Sequence, residues 1–184
     1  MDKAASIIIL HGPSSSGKST LARALQARIE LPFWHVSIDH LRDSGMLPMA
    51  RYESGDFVWR EHRAAFFDGF HRSLRAYAEA GNNLIVEHIL DTPGWTATLA
   101  DLLAPFDVFF VGLQAPLAEL IRRETERGDR PIGDAERDFN SVHAGMRYDF
   151  EVSSEQPVDQ NVAALLGAWR TRSRSAFFTL GQDA

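Results

Sequence analysis

The chain has 184 residues, 45% of them hydrophobic, which suffices for one domain with a full core and is short for two. A formal net charge of −6 disfavours a polyanion wrapped over a broad surface, so no nucleic-acid partner is expected, and the absence of cysteine excludes disulfides, thiol catalysis and thiolate-bound zinc. No stretch approaches the ~20 apolar residues of a membrane span, and the early "SIIIL" is too short for a signal peptide's apolar region; a soluble cytoplasmic protein without a membrane partner is expected.

Apolar runs of strand length alternate with helix-periodic segments, the pattern of a parallel sheet covered by helices on both faces. The first strand is expected at "SIIIL", residues 6 to 10. "GPSSSGKS", Gly12 to Ser19, follows at once and opens a helix with Leu21, Leu25 and Ile29 on one stripe. This is the G-x-x-x-x-G-K-[ST] pattern in the context its mechanism requires. Gly12, Pro13, Ser14, Ser15, Ser16, Gly17, Lys18, Ser19 and Thr20 form the cradle, through the backbone N–H groups of all but Pro13; Lys18 is expected to reach the β and γ phosphates and the Ser19 hydroxyl to ligate Mg²⁺. His11, just before it, reads as structural.

The second strand, "FWHVSI" (33 to 38), runs into Asp39. In an open parallel sheet ligands bind beyond the carboxyl ends of strands, so Asp39 can face an acceptor hydroxyl as general base, although a helix N-cap is an equally ordinary use of the residue. Asp43 reads as solvated. Residues 42 to 56 lack a clean period, and a long helix is expected from about 57 to 80, with Phe66, Phe70 and Leu74 stacked and Gly81 as its stop. The acceptor-binding region is placed at about 41 to 70, with Met46, Met49, Arg51, Phe57, Trp59 and Arg60 as pocket candidates.

The third strand, "NLIVEH" (83 to 88), ends on Glu87 and His88. Glu87 could hold a metal-bound water; His88 could contact substrate or be an interior histidine. A helix through Trp95, Leu99 and Leu102 precedes strand four, "DVFFVGL" (107 to 113). The next helix carries Leu117, Leu120 and Ile121 into "LIRRETERGDRPIG". Arg123 and Arg127 share a face there, and Arg130 lies beyond a Gly-Asp break, so a lid at about 123 to 134 could bring Arg123 to the nucleotide and Arg127 and Arg130 to transition-state charge. The plainer reading pairs these arginines with Glu124 and Glu126 on a solvated helix. Strand five, "YDFEV" (148 to 152), precedes a last helix with Val158, Val162, Leu165 and Trp169 that Pro157 opens; Phe177, Phe178 and Leu180 in the tail can dock on the body.

A guanine-specific switch needs an N-K-x-D stretch, and no Asn-Lys pair occurs. What remains is a small phosphotransferase using ATP and Mg²⁺ on a hydroxylated small molecule, with a non-catalytic ATP-binding module as the reading from another class.

"HGPSSSGKS", "SIDHLRD", "ETERGDRPIG" and "VHAGMRYDFEV", in this order and spacing, resemble the chloramphenicol phosphotransferase family of small P-loop kinases, from about Ile7 to Leu166. The resemblance implies an ATP-dependent kinase that phosphorylates a primary hydroxyl of chloramphenicol, on a five-stranded parallel sheet of order 2-3-1-4-5 in one domain spanning residues 1 to 184. By position it implies Asp39 as base, Lys18 and Ser19 for phosphate and magnesium, the arginines of "RETERGDR" as lid, and adenine near Ser153 and Ser154. Two places depart from the family's pattern: Glu87-His88 stands where an acidic pair closes strand three, and the loop from Leu41 to Asp56 is shorter. A kinase of similar build acting on another metabolite, such as a sugar nucleotide, stays open.

Overall fold

The computed structural model describes residues 4–127, 133–172 and 175–180. Its sheet runs through β1 (Ser6–His11), β2 (Phe33–Ser37), β3 (Asn83–His88), β4 (Asp107–Gln114) and β5 (Phe150–Ser153), all pairs parallel, in the order β2-β3-β1-β4-β5. The helices are α1 (Lys18–Gln26), α2 (Ile38–Asp43), α3 (Met49–Glu53), α4 (Trp59–Glu79), α5 (Trp95–Leu103), α6 (Leu117–Arg127), α7 (Asp134–Ser141) and α8 (Val158–Thr171), with a 3₁₀ turn at Ala176–Thr179.

Because successive strand residues face opposite sides, β1 needs apolar residues at every position to bury both faces. Ile8 and Leu10, with Ile85, Phe109 and Val111, pack on α1 and α8 through Leu21, Leu25, Leu165 and Trp169. Ile7 and Ile9, with Leu84, Val86 and Phe110, pack on α4 and α5 through Phe70, Leu74, Leu99 and Leu103. Phe177 is fully buried in this second layer, edge-on to Phe110, so the tail does dock.

The strands begin and end within two residues of expectation, with one consequence. β2 stops at Ser37, whose hydroxyl accepts the His40 amide as the N-cap of α2. Asp39 is therefore neither the last strand residue nor the cap. It sits in the first turn of α2. The aperiodic segment 42–56 contains short α3, and α7, which the hydrophobic pattern does not announce, follows the "RGDRPI" segment.

Candidate active site

The phosphate-binding loop leaves the central strand between β3 and β4. Ser15 (φ 63) and Gly17 (φ 99) take left-handed conformations, which alternate the backbone curvature just before α1. Gly12 is required for a different reason: a Cβ there would stand 2.7 Å from the Leu113 carbonyl of β4. Lys18 is buried and lies back along the loop, its Nζ donating to the Gly12 and Pro13 carbonyls at 2.8 Å each.

The loop is held from several directions. From α6, Arg123 donates to the carbonyls of Ser15 and Ser16 at 3.3 Å, itself braced by Glu119 at 2.6 Å. From α7, the buried Asp138 carboxylate accepts the Ser14 amide at 3.0 Å. Glu124, which the plainer reading paired with the arginines, turns inward and accepts the amides of Gly133 and Ala135 at 2.9 Å each, joining the end of α6 to the start of α7. Those bonds hold its carboxyl below the usual range.

Beneath the loop, Tyr148 lies between His11 (Nδ1, 2.9 Å) and His143 (Nδ1, 2.6 Å). Burial pushes His11 well below its ordinary value and His143 below it too, and pushes the Tyr148 hydroxyl up, so all three are neutral near pH 7. The tautomers follow. His143 Nε2–H donates to the Leu113 carbonyl (3.2 Å), so its Nδ1 accepts from Tyr148, whose oxygen in turn accepts His11 Nδ1–H. His11 is structural, as expected.

At the sheet's carboxyl edge the Ser19 hydroxyl donates to Glu87 at 2.8 Å, and the other Glu87 oxygen meets His35 Nε2 from β2. Burial alone would raise the Glu87 carboxyl; the hydrogen bonds from His35 and Ser19, with the His35 and Lys18 charges, outweigh it and hold the group below the usual carboxylate range. Ionised Glu87 thus stands directly behind the hydroxyl expected to ligate Mg²⁺. Mg²⁺ keeps waters and takes substrate phosphates, so it asks few ligands of the protein. The donors present, a hydroxyl backed by an ionised carboxylate, fit that ion. His35 was not foreseen; its signal is a histidine on a strand two residues before the β2 residue in register with Glu87.

One cleft of about 870 Å³ runs over the loop from Ser14 to Thr20 and along the sheet's carboxyl edge. Over β4 and β5 it is lined by Leu113, Arg123, Val152, Ser154, Gln156 and Asn161; in the middle by Ser14 to Thr20; over β2 and β3 by Ser37, Asp39, Arg42, Glu87, His88 and Asp91. α4 and α5 add Arg63, Phe67 and Trp95. Asp39, Glu87 and Lys18 are therefore brought together as the sequence suggests. His88 reaches the wall only from the interior: it is buried, its Nε2 2.8 Å from His71 Nε2, with Phe67, Phe70 and Trp95 around it.

Arg51, Phe57, Trp59 and Arg60 are not among the lining residues. Arg51 lies 3.9 Å over the Phe57 ring and bonds Asp56, and Trp59 packs edge-on to Tyr52 and Phe66, a separate aromatic cluster around α3. The wall those residues were expected to supply comes one and two turns further along α4. Met46 is largely exposed. The Arg127 side chain, Arg130 and the centre of the expected lid lie outside the described residues.

The profile of the chloramphenicol phosphotransferase-like proteins matches residues 5–170. The chain belongs to that family. Two Mycobacterium tuberculosis proteins, both named provisionally as O-phosphotransferases, are 31% identical over 170 residues, covering 80% of this chain and 74% of theirs. Among solved structures, the M. tuberculosis APS kinase CysC in complex with AMPPNP and APS has a TM-score of 0.69 at 17% identity, over 92% of this chain and 99% of that one. A gluconokinase from Sinorhizobium meliloti scores 0.62 at 16% identity over 92% and 94%, and the tunicamycin resistance protein of Deinococcus radiodurans 0.61 at 17% over 93% and 98%. At those identities the likeness speaks for the fold, which is that of the small P-loop kinases. The family member described here is a phosphotransferase. No helix among its described residues is long and apolar enough to cross a membrane.

Proposed function

We propose that the protein transfers the γ-phosphoryl group of ATP to a hydroxyl of a small molecule, with Asp39 as the base and the acceptor bound over β2 and β3. The observation that supports this most is the single continuous cleft in which Lys18 and Ser19 lie between an acid-bearing half and a half lined by Val152, Ser154 and Asn161. A nucleotide laid on the loop has its base over β4 and β5 and its γ-phosphate toward Asp39.

The residues then divide the work. The loop's backbone amides and Lys18, moved from the Gly12 and Pro13 carbonyls onto phosphate oxygens, hold the triphosphate in line. Ser19, with ionised Glu87 behind it, would hold Mg²⁺, which would supply neutralisation of the phosphate charge. Asp39 accepts the acceptor's proton as the hydroxyl oxygen bonds to phosphorus and the bond to ADP breaks. Arg123 steadies the loop, and Arg127 and Arg130 are assigned the developing charge on the transferred group. Chloramphenicol, the compound of the family's name, is the first acceptor to try.

Purified protein, Mg·ATP and a panel of chloramphenicol, other hydroxylated antibiotics, sugar acids and sugar nucleotides should yield one phosphorylated product by mass spectrometry together with ADP. ATP binding without modification of any member, and without acceptor-dependent ADP release, would overturn the proposal.

A further inference from the structure

Arg63, on the wall of the acceptor half, uses only part of its hydrogen-bonding capacity. Its guanidinium carbon lies 4.7 Å from the Phe67 ring centroid and 4.8 Å from that of Trp95, and these rings stack on each other at 4.3 Å. Phe67 is one turn along α4 and Trp95 begins α5, so both faces that fix the guanidinium belong to rigid elements. One terminal nitrogen donates to the Thr92 hydroxyl at 3.2 Å and the other to Asp91 at 3.3 Å. Among the described residues its Nε and one hydrogen on each terminal nitrogen have no acceptor, while the side chain is 34% exposed at the cleft wall.

The neighbouring cation differs. Arg42 is taken up by Asp43 at 2.8 Å and Asp39 at 3.3 Å. Asp91 does not occupy Arg63 in the same way, because its contact is single and long and the same oxygen accepts the Thr92 hydroxyl at 2.9 Å. A planar fork held by two aromatic faces, with donors facing a cleft, is arranged for an oxyanion, which it can grip through parallel bonds.

We propose that Arg63 is the specificity determinant of the acceptor half and that the acceptor is a hydroxylated molecule carrying an oxyanion, a carboxylate or a phosphate or sulfate ester, which Arg63 binds while the hydroxyl faces Asp39. This rests on the kinase reading and narrows it from any small alcohol to acidic ones. It places neutral chloramphenicol behind acidic acceptors of similar size.

The test separates binding from chemistry. Calorimetry is run with a non-hydrolysable ATP analogue and Mg²⁺ present, on hydroxy carboxylates paired with their primary amides, and on hydroxyalkyl phosphates and sulfates paired with the free diols. Acids should bind at least about tenfold tighter than their neutral partners, as a charge-assisted bidentate contact implies. Arg63→Met should bring that ratio close to one, and Arg63→Lys should keep part of it. An unaltered melting temperature and nucleotide affinity show that the variants are folded. The carboxylate and ester arms say which oxyanion is preferred. Equal affinity for acids and neutral partners, no binding by any acid, or a ratio untouched by Arg63→Met each sink the proposal. Acid-selective binding without phosphoryl transfer to any bound acid would leave Arg63's role standing and remove the kinase reading instead.

Discussion

The two halves of the cleft are built from different materials. Over β1 the half assigned to the nucleotide is a contiguous loop that offers backbone, shaped by Gly12, Ser15 and Gly17 and buttressed by Arg123 and Asp138. The half assigned to the acceptor is assembled instead from side chains on β2, α2, β3, α4 and α5 that meet only in the folded protein. A backbone site changes little when neighbouring side chains change, so one loop serves many kinases. A side-chain site changes with each substitution and can be re-specified while phosphate chemistry is kept.

That contrast can be broken by experiment, beginning with the largest effect. Lys18→Ala should abolish tight ATP binding and turnover together, because the ammonium belongs to the nucleotide half; unchanged activity would remove Lys18 from the chemistry. Asp39→Asn should lower kcat by about 10²- to 10⁴-fold, the usual range for a lost general base, while ATP affinity measured by calorimetry stays nearly constant. If that variant loses ATP as Lys18→Ala does, the halves are not separable. Glu87→Gln sits at the seam: it should raise the Mg²⁺ concentration for half-maximal activity by about 10- to 100-fold, as loss of a group behind a metal ligand does.

The smallest effect is on stability. His71 and His88 share one short bond behind the acceptor wall, and burial lowers them to about 4 and about 3. Both are neutral in the fold, whereas in the unfolded chain they protonate below about 6.5. Their contribution is complete above that value and is lost as pH falls toward 4, by at most about 1.4 kcal/mol per pH unit for each histidine. Urea midpoints between pH 7 and 4.5 should fall accordingly, and less steeply in His71→Gln.

Much of the nucleotide half was legible in the sequence, since a loop made of contiguous backbone must be encoded contiguously. The sheet was legible for a related reason: strands buried on both faces cannot hide among polar residues, and β1, β3 and β4 each carry an unbroken apolar run, Ile7 to Leu10, Leu84 to Val86 and Val108 to Val111. The motif "VHAGMRYDFEV" was recognisable before its use was known. His143 and Tyr148 reach under the loop to His11, and Asp149 accepts the Phe110 amide of β4 and the Ala176 amide of the tail. The acceptor half was largely illegible. Arg63, Phe67 and Trp95 look like ordinary helix residues until folding places them together, and His35 acquires meaning only through its contact with Glu87, 52 positions away. Arg51 and Trp59 were better advertised by sequence, and they fold onto each other's neighbours around α3 instead.

Glu124 has a consequence in polymer terms. By accepting amides from Gly133 and Ala135 it closes the chain between α6 and α7 with bonds that do not involve what lies between. Once ends are pinned, doubling the length of the intervening segment costs only about 0.6 kcal/mol of closure entropy. A change of length between the two anchors should therefore cost the fold little, whereas loss of Arg130, which is assigned to phosphoryl transfer, should cost activity.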